Sequence, residues 1–148
     1  MDTNHPTIEL LFYIADDIDD ENDVLSMKTV VNEVGASRSW IIAPPVFVNE
    51  SAKDNEAGEL RTVGGVLRLF SALPPWGDVL SPDIDRAHLA EVKAVIGALI
   101  PFSETTKHEI AFEVDGVPVG WIERGVVGKS LNEGLLIPWE RSLAEPDQ

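Results

Sequence analysis

Residues 16 to 23 read Asp16-Asp17-Ile18-Asp19-Asp20-Glu21-Asn22-Asp23, six carboxylates in eight positions. Carboxylates at that density can hold a metal ion, exchange protons with a substrate, or present negative charge to a cationic macromolecule. The first 27 residues carry eight acids and no Lys or Arg, more than half of the formal net charge of -15. Such crowding costs stability through self-repulsion, and it is easiest to rationalise if something cationic binds there. Asp16, Asp17, Asp19, Asp20, Glu21 and Asp23 are therefore the candidate partner-binding residues. Asp17, Asp19, Glu21 and Asp23 alternate as ligands of an EF-hand loop do. No glycine supplies the mid-loop turn, however, and no glutamate stands at the twelfth position, so no metal site is assigned. Part of the cluster has a local explanation. Asp19 or Asp20 suits an N-cap, and acids in a first helical turn suit the positive end of the helix dipole.

Other reactive constellations are poorly supported. His5, His88 and His108 lie far apart and form no HxH or HExxH pair. His88 is expected to be a partly exposed surface residue beside the apolar stripe of its helix. No GxSxG elbow supports a serine nucleophile, and neither Gly64-Gly65 nor the Gly125 to Gly128 stretch carries Lys-Ser/Thr at P-loop spacing. No catalytic residue and no cofactor is assigned. Among the four tryptophans, Trp76 in Pro74-Pro75-Trp76-Gly77-Asp78 is either packed across its own turn-rich loop or an exposed aromatic anchor; as an anchor it joins the candidate partner-binding set.

Composition limits the partners. A chain of 148 residues with 44% apolar and 25% charged content has the length and composition of one globular domain. Eleven bases against 26 acids exclude the basic face that nucleic-acid binding requires, and anionic membrane surfaces are disfavoured for the same reason. The absence of cysteine rules out disulfides, thiolate metal sites and cysteine catalysis. Met1 to Pro6 lacks a basic stretch, and Ile8 to Ala15 is too short for a signal peptide or a membrane span. The expected chain is thus a cytoplasmic one beginning at its natural start.

The elements that must position these residues follow from periodicity. Thr7 to Ala15 alternates, with Ile8, Leu10, Phe12 and Ile14 on one face, as in a strand buried mainly on one side. Val24, Met27, Val31 and Val34 make a helical stripe, closed by Gly35 at a C′ position. Ser39 to Ala43 reads as a second strand stopped by Pro44-Pro45, which Val46 to Val48 can resume, and residues 49 to 60 as a surface loop. Val63 to Leu73 fits a helix through Val66, Leu69, Phe70 and Leu73; Gly64-Gly65 and the following prolines favour the strand that we adopt. Ser81-Pro82 opens a helix with Leu89, Val92, Ile96 and Leu99 inward, ended by Pro101.

A hairpin over 109 to 122 turns at Asp115-Gly116, suited to a type I′ turn. Pairing Val114 with Val117, Phe112 with Val119 and Ile110 with Trp121 sends all six inward, Trp121 included. Ser130 to Glu133 forms a capping box for a short helix through Ile137; Pro138 kinks or restarts it toward Leu143, and the tail after Ala144 should fray. The sum is a single α+β domain over 1–148: a largely antiparallel sheet with helices packed on one side, and a C-terminal hairpin followed by a short helix.

A small, cysteine-free, strongly acidic α+β chain of this kind resembles the immunity proteins of bacterial polymorphic toxin and contact-dependent inhibition systems. The nearest cues are Gly64-Gly65-Val66-Leu67, the Phe112 to Glu123 hairpin, and the ending Gly134-Leu135-Leu136-Ile137-Pro138-Trp139. The resemblance implies a stoichiometric inhibitor that binds a basic toxin domain, often a nuclease. Asp16 to Asp23 would then face the Lys and Arg residues that otherwise hold phosphates. Two other classes stay open: a small carboxylate-based metal-dependent or hydrolytic enzyme, and a structural or adaptor protein.

Overall fold

Among the described residues six antiparallel strands form one sheet in the order β2-β3-β1-β4-β5-β6, where β1 is Thr7–Ile14, β2 Val46–Asp54, β3 Gly58–Phe70, β4 Ile110–Val114, β5 Val117–Glu123 and β6 Val126–Val127. The computed structural model describes residues 7–18, 20–54, 58–70 and 82–144. The central strand β1 (Thr7–Ile14) follows the expected alternation, with Leu10, Phe12 and Ile14 buried. Phe12 stands opposite Gly65 of β3 (Gly58–Phe70) on one side and Phe112 of β4 (Ile110–Val114) on the other. Gly65 is there for room, because a Cβ at that position would stand 2.5 Å from the tip of the Phe12 ring.

Helix α1 (Glu21–Ala36) buries the expected Val24, Met27, Val31 and Val34. Each such burial stabilises the fold by about 1.5–3 kcal/mol relative to exposure. Its N-cap is Asp20, whose carboxylate accepts the Asn22 N–H at 2.9 Å. Gly35 does not end the helix. The helix runs on to Ala36, Ser37 caps it, and the Gly35 carbonyl accepts the Trp40 indole N–H at 2.8 Å. Helix α2 (Pro82–Thr106) buries Leu89, Val92, Ile96 and Leu99 as expected, together with Val95 and Phe102. Pro101 stays inside α2. Both it and Gly97, whose carbonyl loses an amide partner there, are exposed, so water can serve that carbonyl.

Beyond the hairpin the chain forms α3 (Lys129–Leu131), a π-helical turn (Asn132–Leu136) and α4 (Ile137–Ala144). The first turn is preceded by Gly128 with no side-chain cap, so the Ser130 to Glu133 capping box is not used. Pro138 is the second residue of α4, just past the widened turn, the restart anticipated for it. Trp139 donates its indole N–H to Asp85 at 2.7 Å, and Lys93 pairs with Glu140, which ties α4 to α2. The buried residues of all these helices join those of one sheet face in a single core. The fold is α+β, with its helices on one side of an antiparallel sheet.

Three further expectations are corrected. Residues 39–45 are not a strand, and extended pairing starts only at Val46, past two prolines that have no N–H to donate. The supposed loop at 49–60 belongs largely to a hairpin of β2 (Val46–Asp54) with β3. Its polar composition fits its place, because β2 is an edge strand and residues 58–63 of β3 pair with β2 alone, beyond the end of β1.

The third concerns the second hairpin. Its turn is as expected, with Asp115 and Gly116 at φ of 48° and 83° and Val114 facing Val117. A bulge then changes the register of β5 (Val117–Glu123), so that Phe112 pairs with Gly120, Ala111 with Trp121 and Ile110 with Ile122. Ile122 enters the core and Trp121 turns outward, 41% exposed. Gly120 allows this. Its φ is 152°, and a Cβ there would lie 2.5 Å from Leu131, so only glycine lets α3 approach the strand.

Candidate functional site: the acidic corner and the uncovered sheet face

The acidic run forms the corner between β1 and α1, and most of it is engaged within the molecule. Asp16 and Asp23 grip the two ring nitrogens of His108, at 2.5 Å to Nδ1 and 2.7 Å to Nε2. A carboxylate only accepts, so both nitrogens must donate and the ring is an imidazolium. Burial alone would lower the His108 pKa, but hydrogen bonds to Asp16 and Asp23 and the charge of both carboxylates outweigh it and hold the pKa above its usual value.

The backbone of His108 is fixed as well. Its N–H donates to Thr106 Oγ1 at 3.3 Å, and its carbonyl accepts the Ser103 hydroxyl at 2.8 Å. Asp16 also accepts the Glu109 N–H at 3.2 Å. Glu21 receives the Arg61 guanidinium fork at 2.6 and 3.1 Å, which holds its carboxyl below the usual range, while Arg61 Nε reaches Asn49.

The expected partner-binding residues therefore separate. Asp16, Asp20, Glu21 and Asp23 each have a structural bond, by clamp, cap or fork. Asp17 is exposed, and among the described residues its carboxylate has no hydrogen bond or ion pair. Asp19 and Trp76 lie outside the described residues. The five described carboxylates against Arg61 and a protonated His108 still leave the corner negative.

The second feature was not legible in the sequence. Strand register lays two rows across the sheet face that the helices do not cover. One runs Val48, Gly64, Tyr13, Ala111 and Trp121; the other runs Val46, Val66, Leu11, Glu113 and Pro118. Val46 and Trp121 are exposed, and Leu11, Tyr13, Val48 and Val66 are half-buried with no described element above them. The Tyr13 hydroxyl donates to Glu113 at 2.7 Å. That bond, burial and the Glu113 charge push the phenol pKa up to about 12. A broad recess of about 1100 Å³ joins Leu11, Tyr13 and Glu113 on this face to Asp16, Asp17 and Ile18 at the corner.

His88 is not at the surface. It is 1% exposed in α2, and it is braced rather than reactive. Nε2 accepts the Phe70 N–H at 3.2 Å, so the proton sits on Nδ1 and is given to Glu91 Oε1 at 2.8 Å. The other Glu91 oxygen accepts the Ile41 N–H at 2.7 Å. With both nitrogens bonded, the ring has no free base, and the pair links β3, the α1–β2 connection and α2. The sequence signal was an acid three residues after a histidine, beside the buried stripe. Among the described residues, no three His, Asp or Glu side chains converge as ligands for a metal ion, and no helix is long and apolar enough to cross a membrane. No protein-family model, curated protein or solved structure matches the chain.

Proposed function

We propose that this chain is a stoichiometric inhibitor of the immunity type, which docks a basic toxin domain, such as a nuclease, in the bacterial cytoplasm. The observation that carries the proposal is the braced negative corner. The Asp20 cap, the His108 clamp and the Arg61 fork brace Ala15, Asp16 and the first turn of α1 without neutralising the corner. Carboxylates already held in place lose little freedom when they meet a cationic surface. The chain's charge of -15 adds long-range attraction that speeds encounter. Held against lysines and arginines that bind phosphate, such a corner takes the place of the nucleic-acid backbone and closes the toxin's site.

The test begins at the neighbouring gene: the reading expects it to encode a large exported protein, whose C-terminal domain is then catalytically silenced and purified. Calorimetry should show a one-to-one complex whose affinity falls steeply between 0.1 and 1 M salt, as the Debye length contracts from about 10 to about 3 Å. Asp17→Lys should weaken it about tenfold or more, because this carboxylate has no structural duty. No complex, or an affinity indifferent to salt, would remove the proposal.

A further inference from the structure

We infer that the uncovered sheet face is the docking surface for a basic protein partner, and that this partner brings a lysine or arginine to Glu113. The inference rests on the inhibitor reading and specifies where and how the partner sits. Tyr13, Leu11 and Trp121 give this face the aromatic and aliphatic centre found in interface hot spots, without helical cover among the described residues.

The charge pattern selects the occupant. Glu113 stands in the middle of the apolar rows, its carboxylate already accepting the Tyr13 hydroxyl. Any partner that covered these rows would bury that charge, which is costly unless a cation comes with it. The rim agrees: Glu9 and Asp115 border one side and Asp16 and Asp17 the other, while Arg68 is the one cation that the register places on this face among the described strand residues. The recess that joins Glu113 to Asp16 and Asp17 is open to solvent and wide enough for a long cationic side chain; Arg61 also lines it, but its guanidinium is forked to Glu21. A second copy of the chain fits poorly, because two faces of this charge repel.

The probe is again the silenced toxin domain, titrated into three single variants. Trp121→Lys should weaken binding about 30-fold, the scale of a hot-spot residue. Glu113→Gln keeps the acceptor for Tyr13 but removes the charge, and should weaken it about tenfold. Gly97→Lys adds the same positive charge as Trp121→Lys at an exposed site in α2 where a side chain meets nothing, and should change affinity less than about twofold. Val46→Lys, on the same face, replaces Trp121→Lys if that variant does not fold.

If Trp121→Lys and Glu113→Gln bind like wild type while Asp17→Lys does not, the sheet-face inference fails and the inhibitor reading stands. If wild type does not bind at all, both fail. Sedimentation showing the free chain to be a dimer that Trp121→Lys dissolves would assign the face to a second copy and overturn the inference.

Discussion

Phe12 and Tyr13 are neighbours in the central strand and face opposite ways, and the two sides of the sheet differ as these residues do. On the helical side Phe12 is sealed among Gly65, Phe112 and the helices, and the largest fully buried polar side chains there, the His88–Glu91 pair, have every hydrogen bond satisfied. On the other side Tyr13 lies half-open beside a carboxylate, in rows of apolar side chains with no cover among the described residues. The covered side admits a carboxylate only where both of its oxygens accept N–H hydrogen bonds. The open side keeps a charge that is paired only by a hydroxyl, which is what a surface awaiting a cation looks like.

Substitutions can break this contrast. Phe12→Ala should cost about 3–5 kcal/mol in chemical denaturation and Tyr13→Ala no more than about 2. Equal losses would mean that the second face is covered after all. Glu91→Gln should cost about 1–3 kcal/mol, because one amide N–H must then oppose either the Ile41 N–H or the His88 Nδ1–H.

His108 sharpens the contrast through pH. Its pKa is raised in the folded chain, so its contribution is complete below the unfolded value near 6.5 and is lost as pH rises through the folded value. The stability gap between wild type and His108→Asn should therefore narrow on the alkaline side. A gap independent of pH would mean that the ring is not an imidazolium. The smallest effect belongs to the open face, where Trp121→Lys should change the stability of the free chain by no more than about 0.5 kcal/mol.

Elements with one clean period were legible from the residues. The α1 stripe named its buried side chains, and those of β1 and α2 named most of theirs, because each presents one continuous face to one core; Ile8 is only half-buried, and Val95, Phe102 and the buried His88 of α2 were missed. Where two constraints met, the pattern misled. The β5 alternation was readable, but the Gly120 contact with α3 inserts a bulge that exchanges Trp121 for Ile122. The polar β2 segment carries no alternation because, as an edge strand reaching past β1, it has no uniform core to face. The acidic run was visible at once, yet its internal bonds were not, because Arg61 and His108 lie far along the chain and only the fold brings them to it. The uncovered face depends on the register of five strands, and no local window contains it.

The most direct test is to follow the amide and indole signals of the labelled chain by NMR while the silenced toxin domain is added. The account predicts that the largest shifts gather at Leu11, Tyr13, Ala111, Glu113 and the Trp121 indole, with Asp17 at their border. Shifts confined to the outer surfaces of α2 and α4, with those residues unmoved, would contradict it.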